Sequence, residues 1–215
     1  MPKPMTRRDA AKLALLAPFV AVTAYATPAT SQEQDLPPDL EAMFGSPDTP
    51  TFGATDANLT IVAFLDYNCP FCKQSAPHLK ALRESDSNLT VMYKDWPILS
   101  AASVYGGQAA LAAHRNGQYL EAHEALMSIP GGRITEAEMR EALEGSPVDM
   151  RKVDTIIENE GDALLDQLRR NLAEADQVGI TGTPAYFIGP YFVGGALDLG
   201  QFREIVASAR FELGM

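Results

Sequence analysis

The hydrophobic positions of this chain change period twice. Ile61 to Leu65 is a short, unbroken apolar run, partly β-branched, and predicts a buried strand. Asn88 to Lys94 alternates and is rich in strand formers, which predicts a second core strand. From Ser103 to Val178 the pattern turns helical. Gln108 to Arg115 is alanine-rich and stops at Gly117, and Tyr119 to Ile129 gathers Leu120, Ala122, Leu126 and Met127 on one side. Thr135 and Glu138 have capping-box spacing for a helix to Leu143. Ser146 and Pro147 read as N-cap and first residue of a helix that carries Val153, Ile156 and Ile157 and ends at Gly161. Leu164 to Val178 is a last long helix closed by Gly179, giving about five in this stretch. The chain then returns to strands. Tyr191 to Val193 follows the turn Gly189–Pro190 as the second arm of a hairpin, and Asp198 to Gln201 caps a final helix to about Phe211.

The N-terminal end follows another logic. Lys3, Arg7, Arg8 and Lys12 precede an apolar segment, Leu13 to Ala24, too short to span a bilayer, and Ala24-Tyr25-Ala26 is a small-residue cleavage signal. Residues 1–26 are therefore expected to be an export signal peptide. Thr6 to Lys12 resembles the twin-arginine motif, with alanines where bulky apolar residues are usual. Residues 27–56, rich in Pro, Ser, Thr, Asp and Gly, read as a flexible leader with one helical turn at Leu40 to Phe44. That leader is too short for a dimerisation domain, so a monomer is expected. The folded domain is expected over 57–215.

Charge narrows the choice of partners. The formal net charge is −11. Removing residues 1–26 takes away four basic residues and one acid, so 17 − 4 = 13 cations face 28 − 1 = 27 acids, near −14. Such a surface repels nucleic acid and anionic lipid, and neither is expected as a partner.

The candidate chemistry sits where the first strand meets the first helix. The run Asn68-Cys69-Pro70-Phe71-Cys72 places a cysteine at a helix start, with Pro70 at the position where its missing N–H costs nothing. A sulfur there faces unpaired backbone N–H groups and the positive end of the helix dipole, and both favour thiolate. A second cysteine one turn on can resolve a mixed disulfide. The alternatives are half of a zinc site and two buried structural thiols. Cys69 and Cys72 are the only cysteines, and His78, His114 and His123 lack zinc-finger spacing. No metal and no cofactor are expected. Two cysteines in an exported protein leave catalysis as the natural use of the pair.

Cys69-Pro-Phe-Cys72-Lys73-Gln-Ser-Ala76-Pro77-His-Leu79 resembles the C-x-x-C-K-x-x-A-P-x-L run of thioredoxin, and Phe64 to Asn68 resembles the DsbA-like branch of exported thiol:disulfide oxidoreductases. The resemblance implies an α/β thioredoxin fold with an inserted helical subdomain, here about 103–178. It also implies that Thr183-Pro184 is the cis-proline segment opposite the cysteine pair, with Thr183 and Pro184 meeting a substrate strand. Pro70 and Phe71 would be the dipeptide that tunes the redox couple. Phe71 brings no charge, which predicts a thiolate less stabilised than in the strongest oxidants of the branch. Relatives pair a buried acid in the first strand with a lysine in the second. Here Ala63 stands at the acid's position, Lys94 remains, and Asp66 is the candidate replacement. Trp96 is read either as a neighbour of the pair or as a core residue, and His114 and His123 as surface or boundary residues.

Three functions follow from these features. The first is a periplasmic dithiol oxidase acting on cysteines of exported proteins and reoxidised by a DsbB-like membrane partner. The second is an isomerase or reductase served by a membrane reductase, favoured by Phe71 and Thr183. The third is a Cu(I)-binding protein using two soft thiolates.

Overall fold

The computed structural model describes residues 44–215. The expected signal peptide, the cleavage at Ala26 and the leader up to residue 43 lie outside them. Strand β1 is Thr51–Gly53, β2 is Leu59–Leu65 and helix α1 is Pro70–Ser85. They are followed by β3 (Leu89–Asp95), α2 (Ala101–Arg115), α3 (Tyr119–Ser128), α4 (Glu136–Glu144) and α5 (Met150–Gln177). The chain closes with β4 (Ala185–Ile188), β5 (Tyr191–Gly194) and α6 (Leu199–Glu212).

The unbroken apolar run becomes the central strand because both of its faces are covered. Ile61, Ala63 and Leu65 point into one apolar cluster with the cysteines, Leu79 and Phe202; Val62 and Phe64 point into another with Met92, Trp96 and Phe187. The sheet order is β1-β3-β2-β4-β5. β3 lies parallel to β2, with Ala63 beside Tyr93, and the parallel pair requires the crossover that α1 provides. β4 runs antiparallel to β2, with Ala63 opposite Tyr186, and β4 and β5 are joined by the two-residue turn Gly189–Pro190. Gly189 has φ +56°, a conformation that glycine adopts without strain.

The helical stretch differs from its sequence reading. It holds four helices, because the segments read as separate before and after Gly161 form one 28-residue helix. Pro147 disfavours helix at Ser146, whose hydroxyl instead donates to the Leu143 carbonyl at 2.7 Å. Asp149 takes over the cap, accepting the Lys152 N–H. Gly161 costs a helix only about 1 kcal/mol, and burial of Val153, Leu164 and Leu168 along the same helix outweighs it. Helix α2 starts at Ala101, capped by Ser100, so Gly106 and Gly107 fall inside it. A β-carbon on Gly107 would lie 3.0 Å from Leu168, so glycine lets α2 and α5 approach closely.

Residues 44–53, read as part of a flexible leader, are fixed to the domain. Phe44 is 1% exposed and packs 5.5 Å from Phe64 and 5.2 Å from Phe187, closing the sheet face that α1 leaves open. Asp48 pairs with Arg115, its carbonyl accepts from Gln167 at 2.6 Å, and β1 covers the free edge of β3. Composition favoured a linker; a single buried aromatic ring and an unpaired strand edge decided otherwise.

Candidate functional site

The loop between β2 and α1 is held on both sides of Tyr67. The Asp66 carboxylate accepts N–H groups of Asn68 (2.7 Å), Ile98 (2.8 Å) and Leu99 (3.0 Å). Asn68 pairs like a strand with Ile134, accepting its N–H at 2.5 Å and donating to its carbonyl at 3.0 Å, and also donates to Ser100 at 2.8 Å. The insert is thereby fastened to the residue preceding Cys69.

Cys69 is the N-cap of α1, and its sulfur accepts the Cys72 N–H at 3.4 Å. The Thr183 carbonyl accepts from the Cys69 thiol at 3.2 Å, and the Thr183–Pro184 peptide is cis. Both cysteines are free thiols. The Cys72 thiol, hydrogen-bonded to Cys69, brings Cys69 down to about 6. Thr183 and the backbone N–H groups of Cys72 and Phe71 add to this, against the opposing effect of burial. Burial, and then the neighbouring Cys69, push the Cys72 thiol far up. The two sulfurs are therefore divided into a ready nucleophile and a buried, neutral thiol. Phe71 is 59% exposed beside them, whereas Pro184 is buried. The structure thus brings Cys69, Cys72, Thr183, Pro184, Pro70 and Phe71 to one place.

Residues 60–207 match the family model described as DSBA-like thioredoxin domain. The chain belongs to the DsbA-like thioredoxin domain family. A thioredoxin-like oxidoreductase from Silicibacter pomeroyi DSS-3 is similar at 28% identity and TM-score 0.72, covering 80% of this chain and 98% of that one. The catalytic domain of Proteus mirabilis ScsC is similar at 30% identity and TM-score 0.70, covering 82% and 97%. The thiol-disulfide exchange protein alpha-DsbA2 from Wolbachia pipientis is similar at 25% identity and TM-score 0.72, covering 78% and 90%. Among curated proteins, Na(+)/H(+) antiporter NhaA 1 from Salinispora arenicola matches at 23% identity over 159 residues, 73% of this chain and 24% of that protein. The chain spans about a quarter of the length of the curated relatives it matches. The α/β thioredoxin fold with a helical insertion is thus this family's fold, and Cys69 and Cys72 stand in it at CxxC spacing.

Within this DsbA-like domain neither Lys94 nor Asp66 forms an acid–lysine pair beside the cysteines. Lys94 lies on the sheet face of Met92 and Trp96, opposite the cysteines, and pairs with Glu174 at 2.8 Å. Asp66 spends its carboxylate on three backbone N–H groups, as described above. Trp96 is a core residue, 3% exposed and 6.0 Å from Phe64 across the sheet from the cysteines. His114 is half-buried, but His123 is neither a surface nor a boundary residue. It is 5% exposed, with Nδ1 3.1 Å from the Tyr67 hydroxyl, and burial lowers it to about 3, so it stays neutral. Tyr67 and Tyr119 both donate to one oxygen of the buried Asp95, at 2.8 and 3.0 Å, and burial raises that carboxyl to about 7. Sequence reasoning missed this cluster because its members come from β3, α3 and the loop before α1. The sole local signal was an acid at the end of a core strand. Among the described residues no group of three or more His, Cys, Asp or Glu is placed to hold a metal ion.

Proposed function

We propose that this protein exchanges the Cys69–Cys72 disulfide with cysteines of exported proteins, acting as a dithiol oxidase in the periplasm. The observation that carries the reading is the division of the pair, Cys69 near 6 and Cys72 far above its ordinary value. A stabilised thiolate makes the reduced form favourable and the disulfide oxidising. Cys69 is the sulfur that substrate attacks, Cys72 the buried partner, and Thr183 and Pro184 present the surface along which the substrate chain lies. Pro70 starts the helix that stabilises the Cys69 thiolate, and Phe71 adds no charge to it. Residues 1–26 direct export, a DsbB-like membrane protein reoxidises the pair, and the protein works as a monomer. A solved relative named as a periplasmic thioredoxin-like protein, from Salmonella enterica serovar Typhimurium, agrees with that compartment at 30% identity and TM-score 0.66, covering 79% of this chain and 94% of that one.

A second reading has one observation in its favour. A value of about 6 for Cys69 lies nearer to the roughly 7 of thioredoxin than to the roughly 3.5 of DsbA, as expected of an isomerase or reductase. The test is the equilibrium potential of the pair against glutathione, combined with oxidative refolding of a reduced, unfolded substrate. An oxidase requires a potential above about −200 mV and refolding driven by stoichiometric oxidised protein. A potential near the roughly −270 mV of thioredoxin would instead make the reduced form the working one.

A further inference from the structure

Helix α1 carries the cysteines at its start and walls a cavity along its flank. This cavity lies between α1 and α3, has a volume of about 490 Å³, and reaches from Pro70, the residue after Cys69, to Arg83. At about 1.5 Å of rise per residue its two ends are about 20 Å apart. The walls are mostly apolar, formed by Pro77 of α1, Tyr93 of β3, and Leu120, His123 and Met127 of α3. Tyr93, His123 and Met127 are buried and make the floor. A space of that size is uncommon in a well-packed interior. Apolar walls with a few convergent polar groups are the pattern of small-molecule sites.

The polar groups on the walls favour an anion. Lys73, Lys80 and Arg83 line the cavity against one acid, Glu124, in a chain whose formal net charge is −11. Their commitments differ. Lys73 donates to the Ile129 carbonyl at 2.8 Å, and Lys80 pairs with Glu124 at 2.6 Å. Arg83 is more deeply placed, with its side chain 9% exposed, and is poorly matched. Its one hydrogen bond among the described residues runs from Nη1 to the Tyr93 hydroxyl at 3.4 Å. The carboxylate oxygens of Glu84 and Glu124 stand 3.8 and 4.0 Å from Nη2, beyond hydrogen-bond reach. Glu84 is itself 56% exposed, and Glu124 is held by Lys80. A guanidinium presents five donors in a planar fork, and burying it is costly unless an anion meets them.

We propose that this cavity binds a small amphiphilic carboxylate, its charged end on the Arg83 guanidinium and its apolar body on Tyr93, Leu120 and Met127. A carboxylate matches the fork with two parallel hydrogen bonds, which a lone hydroxyl cannot do. The occupant is a free small molecule rather than a polypeptide segment. Apolar walls offer few partners to the N–H and C=O groups that a peptide would bring in, and each left unpaired is costly. No step of cysteine exchange is involved, so the inference is independent of the proposed function.

The experiment titrates the full chain with octanoate by isothermal calorimetry, with octanol as the uncharged analogue. The expected result is saturable single-site binding of octanoate, at least about tenfold tighter than octanol, the scale of a charge-assisted hydrogen-bonded pair. Arg83→Gln keeps a long polar side chain and should remove that preference. Met127→Trp fills the floor and should abolish binding of both compounds. If either variant fails to fold, wild-type protein still decides, since nuclear Overhauser contacts are expected between octanoate methylenes and the Met127 methyl group. Absence of saturable octanoate binding overturns the proposal, as do equal affinities for octanoate and octanol. So does a preference retained in folded Arg83→Gln, or bound octanoate without contact to Met127. Tighter binding of the peptide acetyl-Leu-Glu-Leu-amide than of octanoate would make the occupant a polypeptide segment, and overturns it too.

Discussion

At the scale of single residues, one sulfur is an acid and its neighbour, three positions on, is not. Cys69 sits at a helix start and receives hydrogen bonds; Cys72 is inside the helix with its sulfur in the core. Alkylation of the reduced protein by iodoacetamide should therefore rise through pH 6 and modify Cys69 first, leaving Cys72 unreacted to about pH 9, checked by mass of the labelled peptides. Cys69→Ser should abolish both the labelling and glutathione exchange. The stability linkage has a definite sign. Cys69 titrates lower in the folded chain than the roughly 8.5 of a free thiol. Its contribution to the reduced fold is therefore fully present above about pH 8.5 and is lost as pH falls through 6. The CxxC spacing and Pro70 made this division legible in the sequence.

At the scale of elements, helix α5 illustrates what local signals leave out. Gly161 is a reasonable stop signal, and Ser146-Pro147 a reasonable start, when each is weighed against its immediate neighbours. The helix runs past the first and ignores the second because its apolar stripe is buried against the rest of the fold, with Leu168 against Gly107 of α2 and Ala175 in the cluster of Phe44 and Trp96. Among the described residues no atom outside the helix lies within 4 Å of where a β-carbon on Gly161 would stand. Gly161→Ala should thus raise stability by about 0.5–1 kcal/mol, measured by urea unfolding, without altering the exchange rate. A loss of stability would mean that the helix is broken there. The capping boxes at Thr135 and Asp198 behave in the opposite way: both were readable and both close in the structure, since their partners lie within three residues.

At the scale of the whole molecule, Asp95 couples the sheet, the active-site loop and the insert. Its carboxyl titrates near 7 in the fold against about 3.9 unfolded, so between those values the folded chain holds the extra proton. Stability from this group therefore falls as pH rises from about 4 to 7, opposite in sign to Cys69. Asp95→Asn keeps a carbonyl oxygen for Tyr67 and Tyr119 and removes the titration. Its stability curve should be flatter than that of wild type between pH 4 and 7, and the variant should be the more stable protein at pH 8, checked by urea unfolding at several pH values. Equal slopes for the two proteins would mean that Asp95 titrates normally. Such a cluster joins positions 67, 95, 119 and 123, and only folding brings them within hydrogen-bond reach.

What the sequence determined by itself were the features whose causes are local: the central strand, the cysteine at the helix start, two capping boxes and the hairpin turn. Resemblance extended this to the fold family and to the meeting of Thr183-Pro184 with the cysteine pair. Tertiary structure decided the features that depend on distant partners. It fastened Phe44 and β1 to the sheet, fused two expected helices into α5, buried His123 and turned Lys94 away from the thiols. The physical reason is the same in each case. Burial and long-range pairing outweigh local preferences of about 1 kcal/mol, and neither can be counted until the chain has folded.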